Sequence, residues 1–549
     1  MPKKEKKPTG LRYWMERVLE ECENVEADFG ADPVHDLRVA LRRCRSMADG
    51  LMAMDPDKGW KAMKKAGKPL FQSLGDLRDV QIMMEWIEKM HPSLPAAEQI
   101  SPSVGNGGAN SQESDPGDDA VTVADQDSGS PPAKDPVGHT LMEILKGRES
   151  EKKRAARAAL AEFDRKQWKE WATSLPQRAA RIRPGSAVFK HLALERWTAA
   201  RELHVRALRN RSNIALHTLR IGIKRFRYIV ENFLPAEHRA WSGDLKHMQD
   251  LLGEVHDLDV LWATALSCHV FPDEVSRKPW HARILKERTQ RTDEYRKNTV
   301  GPGSLWDVWR AGLPQGKQVQ DIGLQRMKLW ARVLDPDFAH SERVARFALA
   351  LYDGLRSMGL LGTQPAKDDA AADVRECLLV AALLHDVGKS KGNKGHHKES
   401  LELIKKQGAP LGWKAETVER AALVARFHAG ALATRSHKAL RDLLPDEQKI
   451  TIQLAAILRL ANALDAEHDG HIRTIRIEHA AFSRSRRANG FLKRTALGKN
   501  EAVVIEAEGY VATSATAQAI ARERFSLETV LRRPVMLKAM HPGVRRRVA

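Results

Sequence analysis

The sequence predicts a mainly all-α protein that ends in a small α/β appendage. Residues 10–92, 139–298 and 320–468 place Leu, Ala, Met and Trp at helical spacing, with little of the β-branched alternation typical of strands. Near the end of the chain, AVVIEAEGYV and RRPVMLKAM have the composition of short strands and flank the helical segment SATAQAIARERFSLETVL. We therefore expect helices in nearly the whole fold and strands only in its last part.

Length, charge and cysteine content limit the class of protein. The 549 residues exceed what one hydrophobic core usually organises, so we expect two or three domains. Lys and Arg outnumber Asp and Glu by 90 to 71, and the net charge of +19 should attract anionic partners. The four cysteines lack CxxC spacing and are predicted to be small buried hydrophobes. No signal-peptide core or long apolar run is present, so we expect a cytoplasmic protein without membrane insertion.

Changes in composition divide the chain. Residues 98–136 are rich in Gly, Ser, Pro and Asp without an aromatic residue, which predicts a disordered acidic insertion. Residues 299–319 include GPGSLWDVWRAGLPQGK and are predicted to be a linker. We expect an N-terminal domain at 11–298, a second helical domain at 320–470 and the α/β extension at 471–549.

The N-terminal domain contains an internal repeat of a basic helix. VHDLRVALRRCRS, starting at Val34, and LHTLRIGIKRFRY, starting at Leu216, align without a gap. The aligned pairs are His35 with His217, Arg38 with Arg220, Arg42 with Lys224, Arg43 with Arg225, and Arg45 with Arg227. Each copy precedes a second shared segment, LGDLRDVQI or LGEVHDLDV. Duplication in register favours a ligand site over a merely solvated basic face, although a shared salt-bridge network would also explain it.

Each copy places its bases along one helix face. Offsets of 0, 3, 7 and 10 from His35 put the histidine and three arginines in one stripe, opposite to Leu37 and Leu41. Like charges at this spacing repel by a few tenths of a kcal/mol per pair, so a partner must offset the repulsion. We expect Asp79 and Asp257, in the second shared segments, to orient the arginines and a phosphate chain to complete the neutralisation. Arg suits phosphate because its planar fork reaches two oxygens at once.

Residues 11–298 resemble the CHAD family, the conserved-histidine α-helical domain, in the paired HxxRxxxRRxR-type helices and the paired LGxxxD segments. The resemblance implies two pseudo-symmetric four-helix bundles whose basic helices line a shared groove, with inorganic polyphosphate as ligand. The polyphosphate-binding residues that it implies are His35, Arg38, Arg42, Arg43, Arg45, His217, Arg220, Lys224, Arg225 and Arg227.

Nucleic acid is the second candidate ligand for this basic surface. Single-strand binding normally adds aromatic stacking platforms. Only Phe226 and Tyr228 are aromatic in the two copies, and Cys44 and Ser46 stand at the matching positions of the first copy. The pattern therefore favours polyphosphate.

A second candidate site combines histidines with an aspartate. LLHDVGKSKGNKGHHKES contains His385 and Asp386, and FAHSERVA contributes His340 from an earlier helix. Mixed imidazole and carboxylate groups bind a borderline or hard divalent metal, which can activate water for phosphoester cleavage. Lys389, in HDVGK, would face the phosphate.

The spacing from His340 to His428 resembles that of the HD phosphohydrolase superfamily. Over residues 321–549, GHHKES and IARERFSLETVLRRPVMLK resemble more narrowly the C-terminal helical domain of the exopolyphosphatase/guanosine pentaphosphatase family. The resemblance implies a divalent metal, Mn, Mg or Fe, held by His340, His385 and Asp386.

The chain departs from both patterns. HD phosphohydrolases carry an aspartate in a helix of LADALD type, whereas this sequence reads LANALD, with Asn462 at that position and Asp465 as the expected substitute ligand. The phosphatase family carries its chemistry on an actin-like domain with Gly-rich phosphate loops, and the sequence has no such motif. The helical module alone therefore does not predict exopolyphosphatase activity.

The leading hypothesis is a polyphosphate-binding protein whose HD-type domain adds a second polyanion or phosphate site. The alternative from another class is a metal-dependent HD phosphohydrolase that acts on polyphosphate or a phosphorylated nucleotide. A third is a nucleic-acid-associated basic protein. Polyphosphate granules in the cytoplasm are the expected location, and the sequence leaves open the oligomeric state and whether the protein is an enzyme.

Overall fold

The computed structural model describes residues 10–90, 135–210, 212–361, 368–479 and 502–540. α-Helices form most of these residues and the strands form one small sheet, so the predicted fold class is confirmed. The acidic insertion predicted at 98–136 lies, except for its last two residues, outside the described residues. No helix within the described ranges is both long and apolar enough to cross a membrane.

The described residues divide into two compact units. The first unit draws on residues 1–47, 61–181 and 196–311, and the second on 48–60, 182–195 and 312–549. The second unit therefore includes two short segments from the region that the sequence analysis assigned to the N-terminal domain.

Helices account for nearly all described residues up to 311. They are α1 (Leu11–Ala27), α2 (Ala31–Leu51), α3 (Lys58–Ala66), α4 (Lys68–Met90), α5 (Pro136–Ala161), α6 (Arg165–Ala179), α7 (Ala187–Arg209), α8 (Asn213–Phe233), α9 (Pro235–Ser267), α10 (Glu274–Thr299) and α11 (Leu305–Ala311). Two starts illustrate local signals: the Ser212 hydroxyl accepts the Ala215 N–H at 3.2 Å to begin α8, and Pro235 is the first residue of α9.

The two copies of the repeat, on α2 and α8, bury the same face. The buried positions recur at intervals of four and three residues: Leu37, Leu41 and Cys44 in α2, and Leu219, Ile223 and Phe226 in α8. Each large apolar side chain contributes about 1.5–3 kcal/mol on burial, which fixes the rotation of the helix and keeps the basic stripe out of the core. The helices that carry the LGxxxD segments, α4 and α9, pack against each other.

The segment predicted to be a linker contains α11. Trp306 and Trp309 of this helix are fully buried, and the Trp197 indole N–H donates to the Trp306 carbonyl at 3.2 Å. The segment thus contributes to the core of the first unit as well as connecting elements.

In the second unit, helices surround the HD-type sequence. They are α12 (Lys317–Leu334), α13 (Phe338–Ser357), α14 (Asp368–Leu384), a 3-10 helix (Val387–Lys391), α15 (His396–Gln407), α16 (Ala415–Arg426), α17 (Pro445–Ala463) and α18 (Ala515–Leu531). Buried Leu351, Leu378 and Ile457 belong to the core where α13, α14 and α17 pack together.

In the described residues of the α/β appendage there are three strands: β1 (Ile475–His479), β2 (Val503–Ala507) and β3 (Val535–Ala539). The sheet order is β1-β2-β3, with β1 antiparallel and β3 parallel to β2. The parallel pair is connected by α18, which packs on α17. The two predicted strand segments are therefore strands, whereas β1 was not predicted.

Candidate functional site

Four cations from the two copies of the repeat share one electrostatic environment in the first unit. We call Arg38, Arg42, Arg220 and Lys224 the cation cluster. Burial, together with the positive charges of Arg220, Arg38 and Arg42, lowers the pKa of Lys224 to about 8. Burial also lowers the pKa of Arg38, against the opposing effect of Asp79. The cations of each copy therefore influence the charges of the other copy.

The cluster lacks anionic partners among the described residues. The Nε atoms of Arg38, Arg42 and Arg220 are buried without a hydrogen-bond partner, and none of the four side chains forms an ion pair with a carboxylate in the described ranges. A buried donor without a partner costs about 1–3 kcal/mol, and more when it is charged. An anion that accepts hydrogen bonds from these groups would recover that free energy.

The glycines of the two LGxxxD segments lie against equivalent arginines. A Cβ atom at Gly75 would lie 4.0 Å from Nε of Arg38, and one at Gly253 would lie 3.8 Å from Nε of Arg220. The two guanidinium groups thus occupy corresponding places over α4 and α9. This correspondence extends the sequence repeat to three dimensions.

Asp79 and Asp257, the aspartates of these segments, influence the arginines electrostatically without contacting them as predicted. No ion pair joins Asp79 to Arg38, or Asp257 to Arg220, in the described part of the chain, although each carboxylate interacts electrostatically with the arginine. Burial raises the pKa of Asp257 to about 6, opposed by Arg220. The prediction that these aspartates hold the guanidinium groups directly is therefore corrected.

Two arginines of the first copy are already engaged. Arg43 forms an ion pair with Glu231, donates to the Asn232 side chain at 3.2 Å, and stacks over Trp14 at 5.2 Å. Arg45 donates to the Lys64 carbonyl at 2.6 Å. Both side chains tie α2 to its neighbours.

The other predicted residues surround the cluster. Arg227 lies 3.9 Å from Glu231, and Arg225 is exposed. His35 is exposed and lines a pocket of about 130 Å³ with Arg38 and Arg78.

Two neighbours of the cluster, His256 and Tyr228, were not among the predicted binding residues. His256 lies 3.2 Å from His217, Nδ1 to Nδ1, and burial together with Arg220 lowers the pKa of His256 to about 4. The guanidinium carbon of Arg42 lies over the Tyr228 ring, 5.9 Å from the ring centroid. The sequence signal that could have identified His256 as a site residue is its position directly before Asp257 in the segment LGEVHDLDV.

In the second unit, the chain reverses sharply around the candidate metal centre. His385 and Asp386 follow the last residue of α14, and both are buried. Gly388, in the 3-10 helix, lies against the first residue of α15. A Cβ atom at Gly388 would lie 2.0 Å from the His396 carbonyl oxygen, so only glycine fits at position 388. This close approach brings His396 to the Asp386 carboxylate.

The Asp386 carboxylate is the centre of the group. Its Oδ2 atom lies 2.6 Å from Nζ of Lys389, 3.3 Å from Nε2 of His385 and 4.0 Å from Nε2 of His340. Its Oδ1 atom lies 3.3 Å from Nε2 of His396 and 3.5 Å from Nε2 of His428. Burial opposes ionisation, but His385, His396 and His428 hold the pKa of Asp386 well below its ordinary value.

These residues form two sets with the chemistry of a metal site. One comprises His340, His385 and Asp386, and the other Asp386, His396 and His428. Among the described residues, the buried Nε2 atom of His385 has no well-aligned hydrogen bond and lies 3.3 Å from Oδ2 of Asp386, while its Nδ1 donates to the Ala382 carbonyl at 2.7 Å. Imidazole and carboxylate donors suit a borderline divalent metal, so the residues present fit such an ion.

The structure separates Asp465 from the predicted ligand set. Its Oδ2 atom accepts from Nδ1 of His340 at 2.7 Å and from Nε of Arg343 at 2.8 Å, and Oδ1 accepts the Gly470 N–H at 3.1 Å. Asp465 therefore orients the His340 ring through its Nδ1 atom. Asn462 lies 2.9 Å from Nε2 of the same ring.

Lys389 does not project freely towards a substrate. Its ammonium group pairs with Asp386, and only 20% of its side chain is exposed. His396 and His428, which the sequence analysis noted in the family spacing without assigning them as ligands, lie closer to the carboxylate than His340 does.

Two family models match parts of the chain. Residues 11–266 match the family model of the CHAD domain, and residues 325–501 match that of the Ppx/GppA phosphatase, domain III. No curated protein matches the chain. The predicted pairing of these two domains in one chain is confirmed.

Proposed function

We propose that this chain, which joins a CHAD domain to a Ppx/GppA phosphatase domain III, binds inorganic polyphosphate through its cation cluster. The two domains together indicate a function related to polyphosphate. Domain III would add a second polyanion or phosphate site. The observation that carries the proposal is the convergence of four cations without a carboxylate partner in the described residues.

A phosphate chain would supply the negative charge and the hydrogen-bond acceptors that the cation cluster lacks in the described residues. Each guanidinium group can donate to two phosphate oxygens, and charge-assisted bonds of this kind are about twice as strong as neutral ones. The repeated charges of the ligand would match cations contributed by both α2 and α8. Burial is the main cause of the lowered pKa of Lys224, and binding would relieve the repulsion from Arg220, Arg38 and Arg42 that lowers this pKa further.

The ten predicted binding residues divide by their contacts. We propose that Arg38, Arg42, Arg220 and Lys224 contact phosphate directly, whereas His35, His217 and Arg225 border the path of the chain. Arg43, Arg45 and Arg227 would serve mainly to hold the helices, because each lies against Glu231 or a backbone carbonyl.

RNA is the ligand that the proposal must exclude. It offers the same backbone charge, but its bases add affinity mainly through aromatic stacking. Phe226 is fully buried, and Tyr228 already lies beneath Arg42. We therefore expect polyphosphate to bind more tightly than RNA of equal charge.

The test is a competition experiment with the full chain. Fluorescent long-chain polyphosphate is displaced by unlabelled polyphosphate or by RNA of equal charge over a series of salt concentrations. Tighter binding of polyphosphate at every salt concentration is the expected result. Equal or tighter binding of RNA would instead favour a nucleic-acid-associated protein.

A metal-dependent phosphohydrolase is the second candidate function, favoured by the buried Nε2 atom of His385 beside Asp386. A bound divalent ion would supply an activated water for attack on a phosphate of polyphosphate or of a phosphorylated nucleotide. His385 and Asp386 would hold it, and Asp465 would orient His340. Phosphate release in the presence of Mn²⁺, abolished by His385→Ala, would establish this activity; binding without release would leave the protein a binding module.

A further inference from the structure

The two copies of the repeat differ at one end of the cation cluster. In the first copy, residues from the start of α2 and the middle of α4 line a pocket of about 130 Å³. The lining residues are Ala31, Asp32, Val34, His35, Arg38, Arg78 and Gln81. A water molecule takes up about 30 Å³ in the liquid, so the pocket has room for a phosphate group.

Protein side chains fill the corresponding place in the second copy. The residues aligned with Ala31, His35, Arg78 and Gln81 are Asn213, His217, His256 and Asp259. Arg288 of α10 bridges two of them, because it donates to Asn213 at 2.7 Å and to Asp259 at 3.1 Å. The other two, His217 and His256, contact each other with their Nδ1 atoms 3.2 Å apart. The groups that border an open pocket in the first copy are thus joined to one another in the second.

Two substitutions explain why the first copy stays open. Ala31 stands where Asn213 accepts from Arg288, and an alanine side chain offers no acceptor for such a bridge. Gln81 donates to Glu149 of α5 at 3.1 Å, so its side chain is directed to that helix. The asymmetry therefore follows from the sequence differences between the copies.

Two guanidinium groups line the pocket. Arg38 belongs to the cation cluster, and its buried Nε atom has no hydrogen-bond partner in the described residues. Burial, followed by the charges of Arg42 and Arg78, lowers the pKa of Arg38. Arg78 pairs with Glu85 at 2.7 Å, but 31% and 57% of these side chains are exposed. Exposed ion pairs contribute little to stability, so Arg78 can exchange Glu85 for a phosphate oxygen.

The rest of the lining favours the end of a phosphate chain over its middle. The Asp32 carboxylate repels further anionic groups, and Ala31 and Val34 are apolar, so a chain gains nothing by continuing past the pocket. A terminal phosphate suits the two arginines better than an internal one does. It has three free oxygens instead of two, and it carries most of a second negative charge at neutral pH.

We infer that this pocket, which we call the end pocket, binds the terminal phosphate of a polyphosphate chain whose next phosphates lie on the cation cluster. The inference rests on the proposed function, since it requires polyphosphate on the cluster. It adds recognition of a free chain end, with Arg78 as the residue that distinguishes a terminal from an internal phosphate.

Calorimetric titration of the full chain with free-ended and end-capped polyphosphate of the same short length tests the inference. A cap joined to each terminal phosphorus through nitrogen leaves two free oxygens there, as in an internal phosphate. Wild type, Arg78→Gln and Arg288→Gln are compared, with helical content checked by circular dichroism. Arg288→Gln is the matched control, because it removes the same charge from the corresponding place in the second copy.

Wild type and Arg288→Gln should bind the free-ended chain at least about 10-fold more tightly than the capped chain, which is the effect of one charge-assisted hydrogen bond. Arg78→Gln should bind the two chains with nearly equal affinity. Equal affinity of the wild type for both chains would overturn the inference and leave the proposed function standing, as would an undiminished preference for free ends in Arg78→Gln. Failure of the wild type to bind either chain would overturn the proposed function and this inference with it.

Discussion

Replacing Arg38 and Arg220 with glutamine should weaken polyphosphate binding and reduce its dependence on salt. Neither side chain has a carboxylate partner in the described residues, so each is free to neutralise a phosphate. For a single-stranded polyanion, each neutralised phosphate contributes roughly 0.7 to the slope of log affinity against log salt. The double variant should therefore lose about 1.4 from the slope and, at ~0.15 M salt relative to ~1 M, about 15-fold in affinity from counterion release alone.

Fluorescence anisotropy with labelled polyphosphate, at four or more salt concentrations, measures both quantities. Arg45→Gln is the matched control, because it removes the same charge from the same helix. Its guanidinium group donates to the Lys64 carbonyl and lies over the Phe71 ring, 5.1 Å from the centroid. We expect its slope to change by less than half as much as that of either single variant, Arg38→Gln or Arg220→Gln.

Two results would refute this reasoning. An unchanged slope in the double variant would mean that the cluster does not contact phosphate. An equal loss in Arg45→Gln would mean that affinity follows net charge, and that the convergence of the four cations has no special role.

Three further outcomes follow from the first unit. Polyphosphate affinity should fall as pH rises through about 8, where Lys224 loses its charge, and Lys224→Arg should remove that step in anisotropy titrations between pH 6.5 and 9.5. Arg43→Met should lower the free energy of unfolding in urea by about 2 kcal/mol, because Glu231, with 8% of its side chain exposed, loses the closer of its two arginine partners and keeps only Arg227 at 3.9 Å. Gly253→Glu should place a carboxylate beside Arg220 and weaken binding more than Gly253→Gln does, since a Cβ atom there would lie 3.8 Å from the guanidinium Nε.

Each of these outcomes can fail separately. A step near pH 8 that persists in Lys224→Arg would assign the titration to another group. Unchanged stability in Arg43→Met would show that water replaces the arginine. Equal affinities for the two Gly253 variants would show that bulk, and not charge, governs access to Arg220.

The sequence could predict the helices and the basic stripe because both depend on local periodicity. Leu37 and Leu41 are buried and His35 is exposed, as the offsets within one helix require. The strand β1 was missed because Ile475–His479 has only five residues, too few for an alternating pattern alone to predict a strand. Its pairing with β2 depends on residues almost thirty positions further along the chain.

The alignment of the two copies predicts that aligned basic residues have the same role. In the structure their roles differ, because residues far away in the sequence contact one copy and not the other. Arg43 pairs with Glu231, which is 188 residues away, whereas its counterpart Arg225 is exposed. Periodicity places a side chain on a face but contains no information about which neighbour covers that face. The division between residues that hold the helices and residues available to a ligand therefore required the packed structure.

The replacement of the family aspartate by Asn462 has a different meaning in three dimensions. From the sequence alone, an amide at this position predicts a weakened metal site, with Asp465 as substitute. In the structure, Asp465 accepts from Nδ1 of His340, Asn462 contacts Nε2 of the same ring, and Lys389 pairs with Oδ2 of Asp386. Oδ1 of Asp386 faces the imidazoles of His396 and His428. Asn462 therefore contacts His340 and is not part of the group formed by Asp386, His396 and His428, so the substitution does not by itself remove the imidazole and carboxylate chemistry of a metal site.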